Sequence, residues 1–204
     1  MGKVLSALSL AAALAAAASP QSPQRARVVL ENAHVRAYRT TAGALAGVRH
    51  GAGVVIWLSA ASAGGSGSAM WLDDVAVPPP QGPGSGPIVI IQPMARSGSP
   101  PPPGGSKPGE GTFTGISFVP LFENERVSVL RARMEADARE GFHTHGSDTI
   151  VVHLSGGEIE DTANGKTAVN RWNAGDVEFE ALGSSHSARN VSHPVDAVLV
   201  VLKP

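Results

Sequence analysis

Short runs of β-branched and other apolar residues, separated by glycine and proline, make up most of this 204-residue chain. Such runs are typical of β-strands, and no segment shows a sustained helical period. In the second half they predict eight strands, at residues 116–121, 125–134, 140–145, 149–154, 166–169, 176–180, 186–191 and 197–202. Gly156-Gly157 and Asn164-Gly165 predict hairpin turns between strands. The pattern predicts an all-β fold of the jelly-roll or barrel type.

The first half contains similar runs and ends in a segment that cannot form a core. Strands are predicted at 28–30, 32–40, 53–58, 71–77 and 87–91. Residues 95–114 consist largely of proline, glycine and serine, which predicts an extended linker. We therefore expect a β-rich half at 19–94, the linker at 95–114, and a domain at 115–204.

Residues 1–18 have the features of a secretory signal peptide. Lys3 precedes an apolar run from Val4 to Ala18 that ends in small residues. The run is shorter than the ~20 residues that span a bilayer, so a signal is favoured over a membrane anchor or an ordinary helix. We expect cleavage and a secreted or periplasmic protein. The chain has no cysteine, so its stability must come from burial, helped by a metal if one binds.

The clearest chemical signal is the pair His143 and His145, followed about forty residues later by His186. Residues two apart on a strand project from the same face, so both imidazoles of the pair enter one space. A third imidazole from a paired strand would complete a common site for a divalent transition metal. The alternative is a group of barrel histidines that are hydrogen-bonded to each other and to water.

The segments around these histidines resemble the two sequence motifs of the cupin superfamily. His143, His145 and Gly156 fit the first motif. Gly175, Gly183, His186 and Asn190 fit the spacing of the second, with Ala181 in place of the usual proline. The resemblance covers about residues 117–202 and implies an RmlC-like jelly roll, a double-stranded β-helix. It departs from the family at Thr149, where the glutamate ligand should stand.

The resemblance implies a metal site of His143, His145 and His186 without a certain carboxylate. Thr149 could orient water or pack. Asp148 is the nearest carboxylate, but strand alternation turns it away unless the turn bends. His153 is about 13 Å along the strand from Thr149, which suits a pocket or core histidine better than a ligand. Asn190 is expected to brace the backbone.

The sequence also predicts which other side chains are exposed and which are buried. Glu178 and Glu180 alternate with apolar residues and are expected to face solvent. Phe142, Val151 and Met134 are expected to line or fill the barrel interior. The remaining histidines, His34, His50 and His193, are expected to be ordinary surface or structural residues.

The two halves show an internal repeat. Residues 30–39 parallel 122–131, His50 with Leu58-Ser59 parallels His145 with Leu154-Ser155, Trp71 parallels Trp172, and 88–91 parallels 198–201. The first half has Val48 where His143 stands and no counterpart of His186. We therefore expect a truncated, degenerate N-terminal cupin half that cannot hold a metal by this scheme, beside a complete C-terminal lobe.

Three functions fit these features. The first is a metal-dependent enzyme, which the resemblance suggests is an oxygenase with dioxygenase-like activity on a small anionic substrate, or an isomerase, using iron, manganese, zinc or nickel. The second is a metal-dependent module that binds a small ligand, and the third is a metal-free structural domain. Three neutral histidines would leave the charge of the ion uncompensated, which favours an anionic ligand. The chain lacks a basic patch of the kind that indicates nucleic acid binding. After signal cleavage no membrane contact is expected. A homodimer is compatible with the fold.

Overall fold

The computed structural model describes residues 25–59, 67–77, 86–94 and 111–203, and all regular elements in these ranges are β-strands. Five strands lie in the first half: β1 Arg27–Glu31, β2 Val35–Thr41, β3 Gly53–Trp57, β4 Ala69–Leu72 and β5 Pro87–Pro93. Eight follow: β6 Thr114–Glu123, β7 Val127–Thr144, β8 Thr149–His153, β9 Gly157–Ala163, β10 Lys166–Trp172, β11 Val177–Glu180, β12 Ser185–Asn190 and β13 Val195–Leu202.

The predicted signal peptide and most of the predicted linker lie outside the described residues. The described end of the linker is held against β7, where the amide of Gly111 donates to the carbonyl of Phe142 at 2.8 Å. The domain boundaries drawn from the sequence therefore remain predictions. Within the described ranges, no helix has the length and apolar character needed to cross a membrane.

The eight C-terminal strands form one curled sheet in the order β10-β9-β12-β7-β13-β8-β11, with β6 paired to β7. The long strand β7 pairs with β6 and β13 along its first part and with β12 at its end. A bulge lies between these parts, where Asp137 has a φ of 61°. This continuous strand replaces the two predicted at 125–134 and 140–145.

Two further sequence predictions about this sheet were incomplete or wrong. Strand β9 was not predicted, because its charged residues leave no apolar run. Gly156-Gly157 does not form a hairpin, since β8 and β9 are not neighbours in the sheet. The Asn164-Gly165 turn is confirmed: both residues have positive φ, 52° and 72°, and join the paired strands β9 and β10.

The five N-terminal strands form a second sheet with the equivalent order. Its strand order, β1-β2-β5-β3-β4, corresponds to β6-β7-β13-β8-β11 in the C-terminal sheet. The first hairpins also match in detail. The Asn32 side chain accepts from the amides of His34 and Val35 at 2.8 and 2.9 Å, and the Asn124 side chain accepts from Arg126 and Val127 at the same two distances. This geometry is what an internal repeat predicts.

The strand pairing in the two sheets shows that two of the residue correspondences drawn from the sequence repeat were wrong. Ile91 lies between Ala37 and Val54, as Val200 lies between Val129 and Ile150. The segment 88–91 therefore corresponds to 197–200, one residue from the alignment made on sequence. Trp71 is on β4, which occupies the place of β11, so it is not the counterpart of Trp172 on β10.

The two sheets pack face to face through a shared apolar core. Alternate residues of β2, β3 and β5 meet alternate residues of β7, β8 and β13. The members with no exposed surface are Val35, Ala37, Val54, Ile56, Val89, Ile91, Val127, Val129, Ile150, Val152, Val198 and Val200. Burying each valine or isoleucine among them contributes about 1.5–3 kcal/mol. The two halves are thus joined within one chain.

The other face of each sheet differs between the halves. In the N-terminal sheet it is filled by Tyr38, Val55, Trp57, Ile88 and Ile90 under the loop around Val48. By register Trp57 is the counterpart of His153. The N-terminal sheet therefore carries a solid core on the side where the C-terminal sheet encloses a cavity.

Asp148 links the two halves at the start of β8. Its carboxylate accepts from the amide of Leu182 at 2.8 Å and from Nδ1 of His34 at 2.5 Å, and its side chain is 2 % exposed. His34 precedes β2, so the contact crosses from one sheet to the other. Asp148 therefore links the two halves of the chain, and His34 takes part in the same contact.

Replacing Asp148 with alanine should destabilise the protein by about 2 kcal/mol, because the amide of Leu182 loses its acceptor in a buried setting. The measurement is the midpoint of urea unfolding. His50→Ala is the matched control, since that histidine is 82 % exposed and bonds only to the surface carboxylate of Asp74 among the contacts described. Equal effects of the two changes would show that Asp148 has no structural role.

Candidate metal centre

The three predicted histidines converge on the concave face of the C-terminal sheet. His143 on β7 and His186 on β12 are directly opposite in the strand register, and His145 lies two residues after His143. The ring centroids are 4.8 Å apart for His143 and His145, 4.7 Å for His143 and His186, and 5.0 Å for His145 and His186. One nitrogen from each ring lies within 4.8 Å of the others, close enough to hold a single ion.

Neighbouring acceptors fix the proton position on two of these rings. Nδ1 of His186 lies 2.9 Å from Oδ1 of Asp161, and Nδ1 of His143 lies 3.0 Å from the carbonyl of Gly141. Because the acceptors are a carboxylate and a carbonyl, each Nδ1 carries the proton. Each Nε2 then presents a lone pair, as in protein metal sites where a second acceptor orients the ligating imidazole.

The donor set fits a divalent transition metal. Nε2 of His145 lies 3.1 Å from Nε2 of His186, near the separation of two imidazole nitrogens that bind one zinc ion at about 2.0–2.1 Å each. Burial, together with the charges of His186 and His143, lowers the pKa of His145 from 6.5 to about 4, so its imidazole is neutral at physiological pH. Neutral imidazole is the form that ligates metals.

A cavity of about 240 Å³ opens beside the cluster, enclosed by the curled sheet. Its walls are largely apolar and include Met134 and Val151, as predicted from sequence. Phe113 also lines it and contacts His143 edge to face, with ring centroids 5.0 Å apart. The prediction for Phe142 was wrong: its side chain lies on the outer face of β7 and is 52 % exposed.

Two glutamates expected to face solvent instead line this cavity. Glu178 and Glu180 on β11 pair with Val151 and Thr149 on β8, so they share the inner face of the sheet. Their neighbours Val177 and Phe179 pack into the core between the sheets. Alternation along β11 was read correctly, but both faces of that strand are covered, which a single sequence does not reveal.

Glu180 places a carboxylate where the sequence lacks one. It stands directly across from Thr149, the position at which the family motif has glutamate. Its oxygens lie 3.7 Å from Nδ1 of His145 and 3.9 Å from Nε2 of His186, and its side chain is 18 % exposed. A carboxylate therefore reaches the histidine cluster from the neighbouring strand.

Two more carboxylates approach the cluster, Glu140 and Asp161. Oε2 of Glu140 lies 3.9 Å from Nε2 of His186, and Asp161 bonds to the same ring. With Glu178 and Glu180, four acidic side chains line the cavity. The premise that an ion here would be left uncompensated is therefore wrong, and with it the reason to expect an anionic ligand.

The remaining predicted site residues divide into two groups. Thr149 and His153 are buried and line the cavity. Asn190 braces backbone: its amide group donates to the carbonyls of Met134, Glu135 and His193 at 3.1, 3.0 and 2.9 Å. The side chains of Asn190 and Asp148 do not line this cavity.

Burial raises the pKa of both glutamates that lie nearest the histidines. For Glu180 it rises to about 8, first because of desolvation and then because of the charges of Glu178, Glu140 and Asp161. For Glu140 desolvation also dominates, opposed by the charges of His186 and His143. At neutral pH the folded, metal-free protein therefore holds a proton on Glu180, which would be ionised in water.

The metal-free protein should lose stability as the pH rises from 6.5 to 8. A carboxyl group whose pKa is raised from 4.5 to about 8 stabilises the folded state below pH 4.5 and loses that contribution as the pH rises to 8. The lowered pKa of His145 acts only below 6.5, so the change in this window comes from the buried carboxyl groups, above all from Glu180, with Glu140 acting in the same direction. The expected loss is about 1–2 kcal/mol, read as a fall of a few degrees in the melting temperature.

Glu180→Gln should flatten that pH profile, since the amide does not titrate. Glu125→Gln, at an exposed position in the turn before β7, is the matched control and should keep the slope. A slope that persists in Glu180→Gln would show that another group titrates.

Comparisons with known proteins gave structural matches but no sequence matches. No protein-family model matches the chain, and no curated protein matches it. A cupin domain from Bordetella pertussis Tohama I aligns over 44% of this chain and 95% of its own, with 23% identity and a TM-score of 0.42. An RmlC-like cupin from Shewanella frigidimarina NCIMB 400 aligns over 47% and 82%, with 18% identity and a TM-score of 0.38.

A cupin superfamily protein from Desulfitobacterium hafniense DCB-2 aligns over 47% of this chain and 84% of its own, with 15% identity and a TM-score of 0.38. Each of these matches covers less than half of the chain. The strand order, the curled sheet and the convergence of the three histidines are observed in this structure independently of these comparisons. The described residues form an all-β protein of two packed sheets, which fits a jelly roll.

Proposed function

We propose that the protein binds one divalent transition-metal ion and, next to it, a small organic ligand in the cavity. The observation that carries the proposal is the convergence of three imidazole nitrogens within 4.8 Å at one end of an apolar cavity. His143 and His186 would bind through Nε2, since Nδ1 of each ring is occupied by an acceptor. His145 would bind through the Nε2 that already faces His186.

Glu180 is proposed as the fourth protein ligand, in the role that the family motif gives to the residue at position 149. Its side chain is on the correct face, opposite Thr149 and within 4 Å of two of the histidines. With three neutral imidazoles, one carboxylate reduces the charge of a divalent site to a formal +1. Thr149 is left to line the cavity.

The bound metal would supply Lewis acidity, or redox chemistry if it is iron or manganese. The protein's own residues account for the rest. Phe113 and the apolar walls exclude water from the cavity, while Glu140, with a raised pKa beside His186, can hold and transfer a proton at the edge of the site. This carboxyl group favours a metal-dependent enzyme, such as an oxygenase or isomerase, over a passive binding module.

Purified protein reconstituted with Zn²⁺, Mn²⁺, Fe²⁺ or Ni²⁺ should bind one ion per chain, measured by elemental analysis and titration calorimetry. His186→Ala should lower the affinity by more than about 100-fold, since loss of an outer partner alone costs about 10–100-fold. Glu180→Gln, which removes the charge of the proposed fourth ligand, should weaken binding by at least about 100-fold, more than the loss of an outer partner.

Two control variants should bind metal like the unaltered protein. His50→Ala removes the counterpart of His145 in the N-terminal half, and Thr149→Ala removes the hydroxyl at the motif position. If no metal binds after reconstitution, the proposed function is wrong. If Thr149→Ala weakens binding as much as Glu180→Gln, the assignment of the fourth ligand is wrong.

We also propose that the protein is exported, on the strength of the N-terminal sequence alone. Lys3, the apolar run to Ala18 and the small residues at its end match an export signal. Expression with the full N-terminus in a bacterial host should yield a periplasmic or secreted protein that begins near residue 19, as measured by intact mass. Replacing Leu8 and Leu10 with aspartate should retain the full-length chain in the cytoplasm. Full-length protein from the unaltered chain would contradict the proposal.

A further inference from the structure

His153 is a buried histidine with no hydrogen-bond partner in the cavity wall. It ends β8, its side chain lines the cavity, and it is 4 % exposed. Neither ring nitrogen has a hydrogen-bond partner among the residues that the structure describes. A buried polar group without a partner costs about 1–3 kcal/mol, so this ring is expected to meet a polar group that the protein itself does not supply.

The surroundings of His153 hold the ring in place and leave its edge open. The imidazole stacks on Trp172, with ring centroids 4.6 Å apart and an angle of 10° between the planes. Its Nε2 lies 3.7 Å from Oε2 of Glu178. That separation is too long for a direct hydrogen bond, but one oxygen atom placed beside the pair can lie at about 2.8 Å from both.

The position of His153 separates it from the proposed metal centre. Thr149, opposite Glu180, is level with the metal-site histidines, and His153 is four residues further along β8, about 13 Å away. Between them the same face of the sheet presents Val151, and the neighbouring strand β13 contributes Ala197 and Leu199 to the cavity. The cavity is therefore apolar in the middle and polar at both ends.

We propose that His153 and Glu178 form a second recognition site, which binds a hydroxyl group at the end of an otherwise apolar or aromatic ligand. The hydroxyl oxygen accepts from Nε2–H of His153, and its proton is donated to Glu178. The flat stack of His153 on Trp172 provides a wall for the attached ring or chain. A carboxylate or phosphate does not fit, because Glu178 would repel it.

The N-terminal half supports this interpretation. The residue equivalent to His153 by strand register is Trp57, and the space before it is filled by apolar side chains. An aromatic ring is thus sufficient for packing at this position. Trp57 also leaves its Nε1 buried without a partner, but it packs against apolar side chains, whereas both ring nitrogens of His153 lie in the wall of a cavity.

The proposal can be tested without metal, using p-cresol and toluene as probes. The two molecules have the same ring and methyl group and differ in one hydroxyl. In protein labelled with ¹⁵N at histidine, p-cresol should shift the ring nitrogen resonances of His153, while toluene should leave them unchanged. By calorimetry or NMR titration p-cresol should bind about tenfold more tightly, the value of one hydrogen bond to a charged partner.

His153→Phe keeps the aromatic stack on Trp172 and should remove the preference for p-cresol while toluene still binds. His193→Phe, the same change at an exposed histidine, is the matched control and should keep the tenfold preference. Circular dichroism and the melting temperature verify that both variants fold.

A third probe, 4-methylbenzylamine, separates a hydroxyl site from a cation site. If it binds more tightly than p-cresol, the site recognises an ammonium group and the proposal is wrong. Equal binding of p-cresol and toluene to the unaltered protein, or a preference that survives His153→Phe, also overturns it. The measurement uses metal-free protein, so failure of the proposed metal site would leave this result unaffected.

Discussion

Alternation of side chains along β8, β11 and β13 is the constraint on which the site depends. One face of these strands is fixed in the core that joins the two sheets, and the other faces the cavity. A shift of one residue in any of them would exchange core and cavity side chains. The fully buried valines and isoleucines of the core therefore also determine where the cavity side chains lie, including Thr149, Glu178, Glu180 and His153.

Cross-strand pairing explains how this chain keeps a carboxylate near its histidines. In an antiparallel pair, two residues that stand opposite each other share a face and have closely spaced Cβ atoms. Glu180 can therefore occupy nearly the same space as a side chain at position 149. Position 149 carries threonine in place of the motif's carboxylate, and the neighbouring strand places a carboxyl group close to the same histidines.

The sequence predicted the fold class, most strands and the convergence of His143, His145 and His186. It did so because strand alternation and turn residues are local signals. Features that depend on which strands are neighbours were missed. The solvent assignment of Glu178 and Glu180 failed because both faces of β11 are covered. The one-residue error in aligning 88–91 with 198–201 arose because apolar runs without polar residues carry no information on register.

The core between the two sheets has a consequence for access to the cavity. The N-terminal sheet lies against the outer faces of β8, β11 and β13, so these strands cannot move outward without separating the core between the sheets. The part of the cavity wall at Phe113, which is 39 % exposed, does not belong to that core. The ring of Phe113 contacts His143, so an aromatic side chain stands between solvent and the histidine cluster.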